Sequence, residues 1–148
     1  MYNSKMMIHD ITTDMLNPPA FVALLETRRK CPNGADYGGP DVAAAQRKAY
    51  PDIKTQDLSF PSDVAFQKAL AAARKMKWEI VDADPAGGRI EAVATTFLFR
   101  FKDDVVIRIT PAGAASRLDI RSASRVGKSD LGANARRIRR FFLLIFQG

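Results

Sequence analysis

The chain has 148 residues, 47% apolar and 26% charged, with a net charge of +7. That length and balance exclude a disordered tail and a multi-domain assembly, and fit one domain with a real core. The single cysteine, Cys31, excludes an internal disulfide framework, and no run approaches the ~20 apolar residues of a membrane span.

The first residues, MYNSKMMIHD, lack the apolar centre of a signal peptide, so a soluble chain is expected. Residues 1–61 hold six prolines and the turn pairs Asn33-Gly34 and Gly38-Gly39. Short helical turns are predicted at 21–29 and at 42–49, the latter behind Asp41 as N-cap. The rest of this half reads as an extended arm. Phe21, Leu24, Leu25, Tyr37, Tyr50 and Ile53 make it too apolar for disorder, so it should pack on the remainder, residues 62–148.

From Ser62 the pattern becomes regular. Ser62 can cap a helix in which Phe66, Ala69, Leu70 and Ala73 share one face, ending near Lys77. Residues 78–82 read as a strand and 84–88 as a turn. A long strand over 89–101 should turn tightly at Lys102-Asp103 and return over 104–110. Another turn at 111–115 leads into a strand over 116–124, and a final helix runs from about Ala133. A short first strand near 55–60 is weakly marked.

Alternation gives the meander two faces. Ile90, Ala92, Ala94, Thr96, Leu98, Val105, Ile107, Ile109, Leu118 and Ile120 should face the helices. A tight turn at 102–103 pairs Phe97 with Arg108 and Phe99 with Val106, and the next register sets Asp119 opposite Arg108. The second face then mixes Phe97, Phe99, Phe101 and Val106 with an Arg108–Asp119–Arg121 cluster, and the arm is expected to cover it. The fold class predicted is α+β: two layers, an antiparallel sheet of four or five strands, two helices on one face and an irregular N-terminal arm.

Charge concentrates late. Between Arg117 and Arg140 eight cations stand against Asp119 and Asp130, a net +6 of the chain's +7. The cations sit on a strand, a Gly-containing loop and a helix start, where free N–H groups already favour anions. The expected ligand-binding residues are Arg108, Asp119, Arg121, Ser122, Ser124, Arg125, Lys128, Ser129, Asp130 and Asn134, with Arg125, Lys128 and the N–H groups ahead of Ala133 as the anion site. Residues 122–129 end like a phosphate loop, but Ser122 replaces its first glycine and the flanking strands read as antiparallel. The simpler reading is a turn in which Gly127 and Gly132 take unusual angles and Ser129 or Asp130 caps the helix.

Other chemistry is sparse. His9 is the only histidine and falls in an N-terminus expected to be mobile, so no Ser-His or Cys-His pair is expected. Cys31 reads as incidental. Asp103 and Asp104 could form a carboxylate pair, but a turn position explains them more simply. No zinc spacing and no cofactor motif is present. Arg136, Arg137, Arg139 and Arg140 read as a solvated helix face over an Ile138–Phe141–Phe142–Ile145 underside, so nucleic acid is not the expected partner. The run 141–146 is apolar all round and suits a dimer contact or a membrane surface.

The strings HDITTD, NPP, QRKAYPDI, DDVVIRI and SRLDIRSASRVGKSDLGANARRIRRF together resemble the domain-of-unknown-function 1499 family, over roughly residues 9–141. The family has no established activity and occurs in bacteria and plastids. Many members follow N-terminal hydrophobic segments, so the resemblance implies a membrane-attached or extracytoplasmic setting, though this chain shows no such segment. The order β-α-β-β-β-β-α also resembles helix-grip-like two-layer domains. The function expected is a non-catalytic binding or accessory module, membrane- or envelope-associated, with an anionic ligand or protein partner at the Arg-rich region. The alternative is an enzyme for a small anionic substrate, using Ser122, Ser124 or Asp130 beside Arg108, Arg121 and Arg125.

Overall fold

The computed structural model describes residues 8–147. The elements run β1 (Asp10–Thr12), α1 (Leu25–Arg29), α2 (Pro40–Ala49), β2 (Gln56–Leu58), α3 (Ser62–Lys75), β3 (Glu79–Asp84), β4 (Arg89–Thr95), β5 (Lys102–Ala112), β6 (Ala115–Ser124) and α4 (Ala133–Gln147). The expected order β-α-β-β-β-β-α is present from β2 to α4. The sheet is antiparallel and open, ordered β1-β6-β5-β4-β3, with β2 also on β6, so it has six strands. No helix among the described residues is long and apolar enough to cross a membrane.

The helix starts differ from expectation. Proline's fixed φ suits the first helical turn, and α2 begins at Pro40 behind Gly39 at φ 81°, with Asp41 inside the helix. Pro61 likewise precedes α3 as its extended N-cap, leaving Ser62 as the first helical residue with no side-chain cap. Lys77 ends the α3 segment in the left-handed region at φ 62°.

Period-two alternation and the helical stripe meet in one core. Ile90, Ala92, Val105, Ile107, Leu118 and Ile120 are buried with Phe66, Ala69, Ala73, Ile138 and Phe141 from α3 and α4. Trp78 stacks on Phe141 at 5.6 Å between ring centroids. Burying side chains of this size stabilises by about 1.5–3 kcal/mol each. Gly88 closes the β3–β4 hairpin at φ 66°, where an added Cβ would collide with the carbonyl oxygen of Ile109. Only glycine fits there.

The β5–β6 register is the expected one: Asp119 lies opposite Arg108 and Arg121 opposite Val106. The β4–β5 register is not. Arg89 pairs with Arg108 and Glu91 with Val106, because β4 stops at Thr95 and residues 96–101 form the turn. The shift is eight residues, an even number, so the faces keep their identity. Phe97, Leu98 and Phe99 leave the sheet entirely and are exposed. The arm does cover the second face, at Val106 as expected but with Val93 and Ala123 in place of the phenylalanines: Phe21 and Leu24 pack on these three.

Residues 9–12 are not a loose end. β1 pairs with 121–123 of β6, and the Ser124 N–H donates to the His9 carbonyl at 2.8 Å. Gln46 of α2 completes the outer side of β1, accepting from the Thr12 N–H at 3.1 Å and donating to the Thr12 carbonyl at 2.7 Å. A side-chain amide here replaces a missing strand.

Candidate ligand cleft beside a buried ion-pair network

Most of the cations singled out in the sequence are held by the protein itself. Arg121, buried, sets Nε and Nη2 on the two carboxylate oxygens of Asp10 at 3.0 and 2.8 Å. Its guanidinium also donates to the carbonyls of Pro19 and Ala35 and lies over the rings of Phe21 and Tyr37. Arg108 donates to Asp14 at 3.0 Å, to Asp119 at 3.2 Å and to the Asn17 carbonyl at 2.9 Å. The expected cluster of two arginines around Asp119 is therefore split, because the arm brings its own carboxylates. Asp119 takes its further donors from Thr13 and Thr55, at 2.7 and 2.5 Å.

Asp103 and Asp104 are strand residues of β5, not turn residues, and both are buried. Asp104 receives Arg125 in a fork at 2.8–3.1 Å, with Arg28 of α1 at 3.4 Å. The hydrogen bond to Asp104 raises the Arg125 pKa further, so this guanidinium is committed. Asp103 lies 2.8 Å from Arg137, a distance that gives Coulomb attraction although the contact is not aligned as a hydrogen bond. Burial is the largest influence on Asp103 and pushes its pKa up against the pull of Arg137 and Ser124.

Asn134 organises the start of α4. Its amide oxygen accepts from Ser122 at 2.7 Å and from Arg137 at 2.8 Å. Its amide nitrogen donates to the Ser124 hydroxyl, to Asp130 and to the His9 carbonyl. Asp130 accepts from the N–H groups of Gly132 and Asn134 at 2.7 and 3.2 Å, and Ser129 from that of Leu131 at 3.2 Å. Asp130 is thus the expected cap, and Gly127 and Gly132 take positive φ as expected. The same cap occupies donors expected to be free for an anion. Lys128 is exposed and has no partner among the described residues.

The hydroxyls of Ser122 and Ser124 are buried within this network. Cys31 is half-buried and donates to the Thr27 carbonyl. No group of three or more His, Cys, Asp or Glu side chains among the described residues is placed for a metal ion.

One cleft borders the network. It has a volume of about 1010 Å³ and lies between the 96–101 turn, the 126–131 loop and the start of α4. Phe97, Phe99 and Phe101 line one side, Val126 and Leu131 another, and Arg136, Arg137 and Arg140 run along the helix. Ser124, Ser129 and Asp130 also line it; Arg108, Asp119, Arg121, Ser122, Arg125, Lys128 and Asn134 do not. Arg136 donates to the Leu131 carbonyl at 3.0 Å, and Arg140 has no partner among the described residues. A hollow of about 620 Å³ between α3 and α4 opens more widely to solvent and holds no buried charge. A third, of about 580 Å³, is lined by Arg108 and Arg117, each paired with a carboxylate of the same wall.

Sequence reasoning missed Arg28, Glu91 and Asp10. Glu91 is fully buried, accepting the N–H groups of Val22, Ala23 and Leu24 at 2.7–3.1 Å and the Nε of Arg89 at 3.0 Å. A charged residue in an otherwise apolar strand, Ile90-Glu91-Ala92-Val93, was the signal that could have found it.

The fold and the cleft define a two-layer α+β domain with a basic, aromatic-walled groove. Residues 10–145 match the family described as "Protein of unknown function (DUF1499)", and the chain belongs to it. No curated protein matches. Among solved structures the chain is similar to TTHA0849 from Thermus thermophilus, at 11% identity and a TM-score of 0.37, over 63% of this chain and 92% of that one. It is also similar to the di-domain ARO/CYC BexL from the BE-7585A biosynthetic pathway, at 14% identity and 0.40, over 60% of this chain and 40% of that one. A third likeness is to CV1439 from Chromobacterium violaceum, at 12% identity and 0.34, over 62% of this chain and 94% of that one. Likenesses this distant carry no argument about function.

Proposed function

We propose that the protein is a non-catalytic binding or accessory module, working at a membrane or envelope surface, whose cleft takes the anionic group of an amphipathic ligand or partner. The observation that carries this reading is the meeting, in one cleft, of exposed apolar walls with the exposed Arg136 and Arg140. Guanidinium groups match carboxylate and phosphate in geometry as well as charge. Apolar walls beside them weaken screening and strengthen that attraction.

The internal network narrows the choice of cations. Arg108, Arg121, Arg125 and Arg137 already hold carboxylates, so recruiting them to a ligand would break ion pairs. Arg136 and Arg140 are exposed at the cleft and bear no such commitment. The anionic site therefore moves from the strand and loop to the first turns of α4, within the Arg-rich region.

Thermal unfolding with decyl phosphate below its micelle concentration, set beside inorganic phosphate and decanol, tests the proposal. Decyl phosphate should raise the melting temperature more than either fragment, since ligand binding stabilises the folded state by mass action. Arg136→Ala with Arg140→Ala should remove most of that gain. Equal shifts for all three compounds, or none, would sink it.

A further inference from the structure

We infer that the turn formed by residues 96–101 is a bilayer-docking tip, which seats the protein on anionic lipid with the mouth of the cleft toward the headgroups. The inference rests on the membrane-surface part of the reading above and can fail apart from the cleft, which could hold a soluble amphiphile without any bilayer.

Turns exposed to water are ordinarily made of Gly, Asn, Asp, Ser and Pro. This one reads Thr-Phe-Leu-Phe-Arg-Phe, and Phe97, Leu98 and Phe99 are 89%, 77% and 67% exposed. Its shape is held by Thr96 and is not that of a frayed end. The Thr96 N–H donates to the Phe101 carbonyl at 2.8 Å, the Phe101 N–H to the Thr96 hydroxyl at 2.8 Å, and the Arg100 N–H to the Thr96 carbonyl at 3.1 Å. The rings of Phe99 and Phe101 stack at 5.6 Å. The fold thus displays apolar side chains on a preorganised turn, which lowers the ordering cost of docking.

Charge selects the occupant. Lys77, Arg100, Arg136 and Arg140 are exposed around the cleft, and Glu79 is the one exposed carboxylate among its described lining. A second copy of the chain would bring like charges together across this surface. Anionic lipid offers phosphates to the arginines and an acyl boundary to the rings. Val126 and Leu131, 40% and 63% exposed, supply a second apolar contact on the opposite wall.

Co-sedimentation with vesicles decides the matter. The protein should bind phosphatidylcholine vesicles containing phosphatidylglycerol, bind pure phosphatidylcholine far less, and lose binding as salt rises. Phe97→Ser with Phe99→Ser should lower partition by about tenfold or more while lowering the melting temperature by only a few degrees, because both side chains are largely exposed and the loss inside the protein is the stack of Phe99 on Phe101. Wild-type protein that ignores the mixed vesicles would overturn the inference, as would a serine variant that binds like wild type. So would a wild-type dimer that the serine variant converts to monomer, which would make the tip a protein interface. Failure on vesicles with decyl phosphate still bound removes the tip alone. Vesicle binding without a decyl phosphate effect removes the cleft reading and leaves the tip.

Discussion

Arg121 of β6 and Asp10 of β1 meet in a buried two-point ion pair, at 3.0 and 2.8 Å, across the seam between the N-terminal segment and the core sheet. Neither side chain reaches water to any extent, so each depends on the other for solvation.

Arg121→Met should therefore destabilise the fold by about 3–5 kcal/mol, because it strands the Asp10 carboxylate. Asp10→Leu with Arg121→Met should recover part of that loss, since two apolar residues leave no charge uncompensated. Denaturant unfolding of both variants measures the difference.

Asp119→Ala is expected to cost about 3 kcal/mol, as the carboxylate is buried and serves Thr13, Thr55 and Arg108 together. A loss below ~1 kcal/mol would instead describe a solvated pair.

Glu91→Ala should release the arm. The carboxylate gathers three consecutive N–H groups ahead of α1, and removing it leaves them with nothing inside the protein to bond. A loss of roughly 3 kcal/mol is expected, together with faster tryptic cleavage near Arg28 and Arg29.

Two aspartates should respond to acid with opposite signs. Burial raises the Asp103 pKa above its ordinary 3.8, so the folded state takes up the proton first. The stability linked to Asp103 is fully present below the unfolded value and is lost as pH rises through the folded one. The advantage of wild type over Asp103→Asn should then grow as pH falls from 7 toward 4. The hydrogen bond from Arg139 holds Asp52 below 3.8, so its contribution is present above that value and is lost as pH falls through the folded pKa. The advantage of wild type over Asp52→Asn should shrink below about pH 4. Unfolding curves across pH check both signs.

Tyr37→Phe should leave stability unchanged or raise it by up to about 1 kcal/mol. The hydroxyl oxygen is buried with no hydrogen-bond partner, and burial with the Asp10 charge lifts its pKa to about 12. Chemical denaturation of the variant gives the answer.

The legible parts of this fold were those whose cause is local. The β5–β6 pairing followed from a short turn, here Gly113-Ala114, between two alternating runs. The β4–β5 pairing did not, because Phe97, Phe99 and Phe101 have the composition of a strand while the backbone around Thr96 turns. Asp103 and Asp104 read as turn residues for the same reason, and their partners Arg137, Arg125 and Arg28 are distant in sequence. The positive charge at the end of the chain was visible; that the arm and β5 neutralise much of it was not. Removing residues 1–55 should consequently expose Val93, Val106 and Ala123, and not the phenylalanines of the turn.

The outer edge of β6 is closed end to end. β2 takes residues 116–118, β1 takes 121–123, and Thr13 fills the gap by exchanging hydrogen bonds with Ile120. A nick that let this N-terminal cover detach would present a ten-residue strand with its hydrogen-bonding side bare. Two such molecules would then satisfy each other by pairing their bare β6 edges, so edge-to-edge dimers are the species to look for after partial proteolysis.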